Sequence, residues 1–482
     1  MLKNLKDKGG REAVPIVPIA RDKIDAALKA HPASVQKWAH ASGFGARSGE
    51  VCLVPDADGG IAKVLFGLGH SSGGASGAAK AGADIWVWAH LAEALPAGQF
   101  RIQGRLGKRQ ATAAALGFAL GYYHFDVYRG RVKKSSKMKA SASKATGPQL
   151  CWPEGADRRE VERTVHAVAL VRDLVNTPAS DLGPTGLADA ARAVAKRGGA
   201  TCRVITGASL LKNNYPAIHA VGRASADAPR LIDITWGSAK HPKVTLVGKG
   251  VTFDTGGLDI KTSGSMKLMK KDMGGAAAVL GLASMIMAAK LKVRLRVLIP
   301  AVENAISGNA MRPLDVVPTR SGITVEIGNT DAEGRVILAD ALYEASGEKP
   351  ALLIDCATLT GAARAALGTE VPALFCNDDA LADAIVATAM AEDDPLWRLP
   401  LWPGYRDQVK GRVADLTNSP ESGYGGAITA ALFLERFVGA DIPWVHVDMM
   451  AWNVRSRPGR PEGGEAQGIR ALFQIIRDRF AR

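Results

Sequence analysis

Apolar positions along this chain recur in two registers, and the switch between them outlines the fold. Residues 51–55 and 61–68 are short apolar runs on either side of Asp56-Ala57-Asp58-Gly59-Gly60, a spacing that predicts a β-hairpin. Residues 13–19 are also apolar, but Pro15 and Pro18 remove two backbone donors, which predicts an edge strand. Residues 110–122 are rich in Ala and Leu and predict a helix, where Gly117 and Gly121 mark close packing or weaken the helix. Residues 158–174 carry helical spacing that stops near Asn176-Thr177-Pro178, because proline disfavours continuation.

Beyond this point, short apolar runs at 244–247, 297–300, 351–354, 373–375 and 444–447 predict strands, and 275–289, 336–345 and 427–437 predict helices between several of them. Alternation of this kind implies a mostly parallel sheet covered on both faces, with functional groups at the carboxyl ends of the strands. The expected class is α/β: a smaller N-terminal α/β domain over 1–150, a connecting helix over 151–175, and a larger C-terminal catalytic α/β domain with a mostly parallel central sheet over 176–482. A length of 482 residues fits about two or three domains.

Charge changes this picture only at one end. The net charge is +14, and residues 1–150 hold 22 Lys+Arg against 10 Asp+Glu, so nearly all the excess is N-terminal. Seven of these cations fall in 129–144, a run that reads as a solvated basic loop or, in the sharper alternative, as a contact for nucleic-acid phosphates. Residues 69–82 are Gly/Ser-rich but contain no phosphate-loop motif and read as a plain loop. The chain has no apolar run of 18 residues, and its first residues lack the apolar core of a secretory signal. Its five cysteines form no CxxC pair. The expectation is a cytoplasmic protein with no membrane partner.

The chemistry is concentrated in Asn329-Thr330-Asp331-Ala332-Glu333-Gly334-Arg335 and in a second polar set of Lys249, Asp254, Lys261 and Asp272. An extended 331–335 segment would turn Asp331, Glu333 and Arg335 to one side. Converging carboxylates repel unless a cation lies between them, either a metal ion or the arginine. The nine histidines form no HExxH, and there is no GxSxG elbow. Any metal must therefore be held mainly by Asp254, Asp272, Asp331 and Glu333. Two divalent ions would balance these four charges, and oxygen ligation admits Zn²⁺, Mn²⁺ or Mg²⁺. One of Lys249 and Lys261 would then be a neutral amine ligand and the other an ammonium that polarises a carbonyl. The competing structural reading makes each Asp a turn or cap residue, with Arg335 neutralising Asp331.

Three segments carry a resemblance: Val247-Gly248-Lys249-Gly250-Val251-Thr252-Phe253-Asp254-Thr255-Gly256-Gly257, Met269-Lys270-Lys271-Asp272-Met273-Gly274-Gly275, and 329–335. They closely resemble the leucyl aminopeptidase family, the cytosol aminopeptidases, and the similarity covers roughly 170–450. The resemblance implies that Lys249, Asp254, Asp272 and Glu333 bind one metal, and that Asp254, Asp331 and Glu333 bind a second. It also implies that Lys261 polarises the scissile carbonyl, that Arg335 holds a bicarbonate ion, and that Met269, Thr358, Leu359 and Gly361 wall a side-chain pocket. Short peptides as substrates and a homohexamer follow from the same resemblance.

The chain departs from the family in His446-Val447-Asp448-Met449-Met450-Ala451, where Met450 replaces a commonly small residue and would, by the same resemblance, intrude on that pocket. It departs again around Asp259-Ile260-Lys261-Thr262 and in the Arg/Gly/Pro/Glu-rich tail at 455–468. A two-metal phosphoesterase is disfavoured by the lack of clustered His or Asn ligands. DNA binding by the basic N-terminal domain stands as an alternative or additional role.

Overall fold

A computed structural model describes residues 1–7, 12–70, 84–129 and 147–480. The chain divides into two compact units, Met1–His166 with Arg455–Pro461, and Ala167–Val454 with the chain from Glu462 onward. Nearly all of the basic run at 129–144, and most of the Gly/Ser-rich segment at 69–82, lie outside the described residues.

In the first unit, strands β1 (Leu5–Lys6), β2 (Val14–Ile19), β3 (Val51–Pro55), β4 (Ile61–Gly67), β5 (Gln99–Ile102) and β6 (Gln149–Cys151) form a six-stranded sheet in the order β1-β6-β5-β2-β4-β3. Only β3 and β4 pair antiparallel, as the predicted hairpin. Asp56 organises its turn, with Oδ1 accepting from the backbone N–H of Asp58 and of Gly60. Helices α1 (Ile24–Lys29) and α2 (Ala33–Ala41) close a core of Ile19, Leu28, Val35, Val54 and Leu65. Helices α3 (Ile85–Ala94) and α4 (Lys108–Leu120) approach so closely at Gly117 that a Cβ there would lie 1.9 Å from the Ile85 carbonyl oxygen.

Strand β2 is not at an edge, as its prolines had suggested; it lies between β5 and β4. The reason is a handover. Pairing with β5 covers Val14–Ile16, and pairing with β4 begins at Ile16 and runs to Ile19. The Ile16 carbonyl accepts from Gln103 beyond β5, and the Ile19 carbonyl accepts from Leu68 beyond β4. Backbone groups alternate in direction along a strand. Pro15 therefore faces the β4 side before that ladder starts, and Pro18 faces the β5 side after that ladder has ended. Neither missing donor removes a ladder bond.

Helix α5 (Arg158–Asn176) leads into the second unit, and helices α6 (Pro184–Gly198), α7 (Ser209–Lys212) and α8 (Pro216–Gly222) follow, around strand β7 (Thr201–Thr206). Then come strands β8 (Arg230–Trp236), β9 (Lys243–Gly248) and β10 (Gly250–Asp254), helices α9 (Ser263–Met266) and α10 (Gly274–Ala288), and strands β11 (Arg294–Asn304), β12 (Val316–Pro318) and β13 (Thr324–Glu326). Helix α11 (Glu333–Gly347), strand β14 (Leu352–Ala357), helix α12 (Gly361–Leu367), strand β15 (Ala373–Cys376), helix α13 (Asp379–Ala391) and strands β16 (Trp397–Arg398) and β17 (Leu416–Thr417) come next. The chain closes with helix α14 (Gly426–Glu435), strands β18 (Trp444–Asp448), β19 (Trp452–Asn453) and β20 (Gly463–Gly464), and helix α15 (Ile469–Phe480).

The central sheet runs β16-β15-β18-β14-β9-β11-β8-β7, with β10 also on β11. Its middle, β18-β14-β9-β11, is parallel, and β8, β7 and β15 run antiparallel to their inner neighbours. Side chains alternate between faces, and β9 shows the consequence. Val247 joins a core with Val336 and Ile337 of α11, whereas a Cβ at Gly248 would touch Val279 of α10. The two helices therefore cover opposite faces and force β9 to be apolar on both. Met269–Ala288 is long and apolar enough by composition to cross a bilayer, yet 89% of that window is buried inside the protein, as a core helix is. The unusual tail is also built in: Glu465 forms a buried two-pronged ion pair with Arg172, at 3.0 and 3.1 Å from its Nη2.

Candidate active site

The carboxyl ends of β9, β10, β14 and β18 meet the amino-terminal ends of α10 and α11, and the chemistry-bearing residues lie there. Lys249 follows β9 directly, and Asp254 ends β10. Asp272 sits in a single turn at Met269–Met273 that runs straight into α10, and Glu333 is the first residue of α11. Helix amino termini favour negative charge, which helps hold both carboxylates in a buried place.

Asp254, Asp272 and Glu333 each offer an oxygen within 4.8 Å of the others, and no other group of acidic, His or Cys residues among those described converges in this way. Lys249 Nζ lies 2.7 Å from Asp272 Oδ2 and 3.0 Å from Glu333 Oε1, and donates to the Thr358 carbonyl at 3.0 Å. Lys261 Nζ bridges Asp254 Oδ2, at 2.9 Å, and Asp331 Oδ1. Asp254 Oδ1 accepts from Gly256 N–H and from Asn304 Nδ2, each at 2.8 Å. Gly256, at φ +87°, lets the chain turn there, where a side chain would be strained.

Charge is unbalanced in this cluster. Burial pushes Glu333 well above the usual carboxylate range, repulsion from Asp254 adds to it, and Lys249 only partly offsets both. Asp331 is raised to about 6 by burial and by Asp254, against the pull of Lys261. Asp272 goes the other way: burial alone would raise it, but Lys249 and Lys271 hold it low. Burial would lower Lys249 and Lys261, yet the surrounding carboxylates raise both. Four carboxylates thus outweigh Lys249, Lys261 and Lys271, the three lysines that act on them. Asp272 Oδ2, Asp331 Oδ1 and Glu333 Oε1 are buried and meet lysines as ion pairs outside hydrogen-bond geometry. This donor set fits divalent cations, which bring the missing charge and accept ligands from any direction.

The site opens on one side. The Lys261 and Asp331 side chains keep 12% and 32% exposure, whereas Lys249, Asp254, Asp272 and Glu333 keep 4% or less.

Two features differ from the sequence reading. Segment 331–335 is not extended, because α11 starts at Glu333 and the 3.6-residue period turns Arg335 away from the face Glu333 presents. Arg335 is buried with its Nε unpartnered, and burial lowers it to about 10. Asp331 reaches the cluster by a different route, through a turn. Its N–H donates to Asn329 Oδ1 at 2.8 Å, Thr330 Oγ1 donates to the Gly256 carbonyl at 2.6 Å, and Thr330 N–H donates to Asp259 Oδ2 at 2.7 Å.

Asn418 carried no signal in the sequence, and Asp448 and Thr358 entered its reading only through the family likeness, Thr358 as a pocket wall. Asn418 is fully buried; its Oδ1 accepts from Gly328 and Asn329, and its Nδ2 donates to the Asn329 and Ala332 carbonyls. Asp448, which ends β18, accepts from the N–H of Leu359 and Thr360 and from Thr360 Oγ1. Thr358 Oγ1 donates to Asp272 Oδ1 at 2.8 Å. Of the pocket candidates, Met269 and Thr358 are buried, Leu359 and Met450 half-buried, and Gly361 exposed. A Cβ at Gly274 would touch both Ala451 and Thr358, so Thr358 and the residue after Met450 both lie beside Gly274.

The family model described as "Cytosol aminopeptidase family, catalytic domain" matches residues 169–473. The chain belongs to the cytosol aminopeptidase family. A second model, "M17 aminopeptidase, N-terminal domain", matches residues 14–140. This makes the protein a metallo-exopeptidase, a hydrolase of peptide bonds. A probable cytosol aminopeptidase of Roseiflexus castenholzii is 41% identical over 376 residues, 76% of each chain. Among solved structures, the cytosol aminopeptidase of Coxiella burnetii superposes with a TM-score of 0.90 at 47% identity, covering 99% of this chain and 100% of that one. The bottromycin maturation enzyme BotP in complex with Mn superposes at 0.83 with 36% identity, covering 96% and 99%. A mutant tomato leucine aminopeptidase superposes at 0.80 with 28% identity, covering 98% and 95%. These cytosol aminopeptidase relatives lend no support to the nucleic-acid reading.

Proposed function

We propose that this cytosol aminopeptidase releases single residues from the free amino terminus of short peptides. Lys249, Asp254, Asp272 and Glu333 would hold one divalent ion and Asp254, Asp331 and Glu333 a second, either Zn²⁺ or Mn²⁺. The ions supply Lewis acidity toward the peptide and acidify water for attack. The observation that carries this reading is the buried convergence of Asp254, Asp272 and Glu333, flanked by two lysines.

Lys261 stands on the open side, where its ammonium donates to the scissile carbonyl oxygen and stabilises the charge that develops there. Asp254 and Asp331 aim it. Arg335, buried and with an unpartnered Nε, holds a bicarbonate ion that takes up the proton, as no side chain of the cluster is a free general base. Met269, Thr358, Leu359, Gly361 and Met450 wall the pocket for the first side chain. A homohexamer working in the cytoplasm is part of the same proposal and rests on the family likeness.

The test compares leucyl amide with its N-acetylated form, using protein stripped by chelator and reloaded with Mn²⁺ or Zn²⁺. Cleavage of the free amine alone, restored by metal, is expected. Equal cleavage of the acetylated substrate, or activity that survives complete metal removal, would overturn the reading.

A further inference from the structure

We infer that Asp259 is a positioning residue for the peptidase reaction: its carboxylate clasps the backbone of Thr330 and so fixes the reach of Lys261 toward the peptide carbonyl. The inference rests on the aminopeptidase reading above and adds to it a residue that acts through another.

Lys261 lies in the loop between β10 and α9, and Asp331 in the turn that precedes α11. Asp259 and Thr330 join these two segments by a reciprocal pair of hydrogen bonds. Asp259 N–H donates to Thr330 Oγ1 at 2.8 Å, and Thr330 N–H donates to Asp259 Oδ2 at 2.7 Å. Thr330 Oγ1 donates onward to the Gly256 carbonyl at 2.6 Å. Thr330 is fully buried, so its N–H would be costly to leave unpaired. A carboxylate acceptor makes this bond stronger than a neutral one would. Asp259 falls in a stretch where the chain departs from the family.

The near end of the loop is fixed separately. Lys261 N–H donates to the Thr255 carbonyl at 2.9 Å, and Thr255 is held on the Asn304 carbonyl through its N–H at 3.1 Å and its Oγ1 at 2.8 Å. Lys261 stands two residues beyond Asp259, and its Nζ spans Asp254 and Asp331, the neighbour of Thr330. A lysine amine on its flexible stem is aimed only when its own backbone and its partners are fixed relative to one another. The Asp259 clasp sets that relation on the Asp331 side. Asn329 and Asn418 already hold the turn that carries Asp331. Losing the clasp therefore loosens the lysine loop rather than the carboxylates.

The test measures leucyl-amide hydrolysis and bound metal in the metal-loaded full-length enzyme. In Asp259→Ala, kcat should fall about tenfold to a hundredfold. Its KM should stay within about twofold of the parent, and metal per chain should not change. The backbone bond from residue 259 to Thr330 Oγ1 survives this substitution and keeps the loop docked. Asp259→Asn keeps an acceptor without the charge and should stay within about threefold of the parent. In Lys261→Met, with no amine left to aim, adding Asp259→Ala should cost less than about twofold. Parental kcat in Asp259→Ala would overturn the inference, as would metal lost in step with activity. So would an Asp259→Asn enzyme as slow as Asp259→Ala, or the full loss recurring in the Lys261→Met background. An Asp259→Ala chain that does not fold would assign the clasp to the fold and not to the lysine, and would also overturn it. If the parent enzyme cleaves no free-amine amide, the aminopeptidase reading itself fails, and this inference with it.

Discussion

Lys249 passes so close over Gly334 that a Cβ on that glycine would stand 2.4 Å from Lys249 Cε and 2.7 Å from its Nζ. The first turn of α11 is thereby cut away at the position where the lysine must cross to reach Glu333. Gly334→Ala should push Lys249 off both carboxylates. Overpacking of this kind costs about 1–3 kcal/mol. Metal content per chain, measured after dialysis, should fall together with leucyl-amide hydrolysis, and far-ultraviolet circular dichroism should stay unchanged. Full metal content in an inactive Gly334→Ala protein would show that the glycine serves another purpose.

Glu333 is, with Asp254, one of the two carboxylates shared by both proposed ions. Glu333→Ala should abolish metal binding and turnover together, with kcat/KM down by about a thousandfold or more. Because Glu333 is raised by burial and by Asp254, its removal also relieves repulsion. The metal-free variant should therefore melt no lower than the metal-free parent. Unchanged turnover would remove Glu333 from the site.

Asn418 holds the 328–332 turn through its four hydrogen bonds and is expected to act by positioning Asp331. Asn418→Ala leaves buried backbone groups unpaired, at a cost of about 1–3 kcal/mol. Activity should drop about tenfold or more, and rise again in Asn418→Asp less than in the parent, since Asp lacks the donors that serve the two carbonyls. Parental kcat/KM in Asn418→Ala would show that the turn holds itself.

Asp355 and His446 are register partners on β14 and β18, with Oδ1 and Nδ1 2.6 Å apart and both side chains fully buried. Trp444 Nε1 donates to Asp355 Oδ2 at 2.7 Å. Burial alone would lower the imidazole, but Asp355 raises it above its ordinary 6.5. A raised folded-state value means that the imidazolium contributes stability below about pH 6.5 and that this contribution is lost as pH rises through the folded-state value. Asp355→Asn should therefore destabilise by about 3–5 kcal/mol near pH 5.5 and by clearly less near pH 9 in urea unfolding. Equal destabilisation at both values would mean that the pair carries no titrating charge.

How legible the site was depends on which residues are considered. Lys249 stands between two glycines, and Asp254 and Asp272 each stand two residues before one, in segments whose motif is local, so their types and order could be read directly. Asp331 and Glu333 were legible as residues but not as geometry: the extended reading failed because α11 begins one residue after Ala332, a boundary fixed by the Asn329 turn together with the bonds that join Thr330 to Gly256 and Asn418 to Ala332. The same holds for β2, whose prolines looked like edge markers until the offset between its two ladders removed the conflict.

The sequence by itself determined the α/β class, five strands and three helices of the catalytic unit, and the residue types available for chemistry, because periodicity and short motifs are properties of neighbouring residues. The tertiary structure decided which of those residues meet. Asp254 meets Asn304, Asp448 meets Thr360, and Lys271 is left without a partner only once β9, β10, β14 and β18 are set in register and α10 and α11 cover opposite faces. Such meetings join positions tens of residues apart, and burial then sets their charge states. No local pattern encodes either.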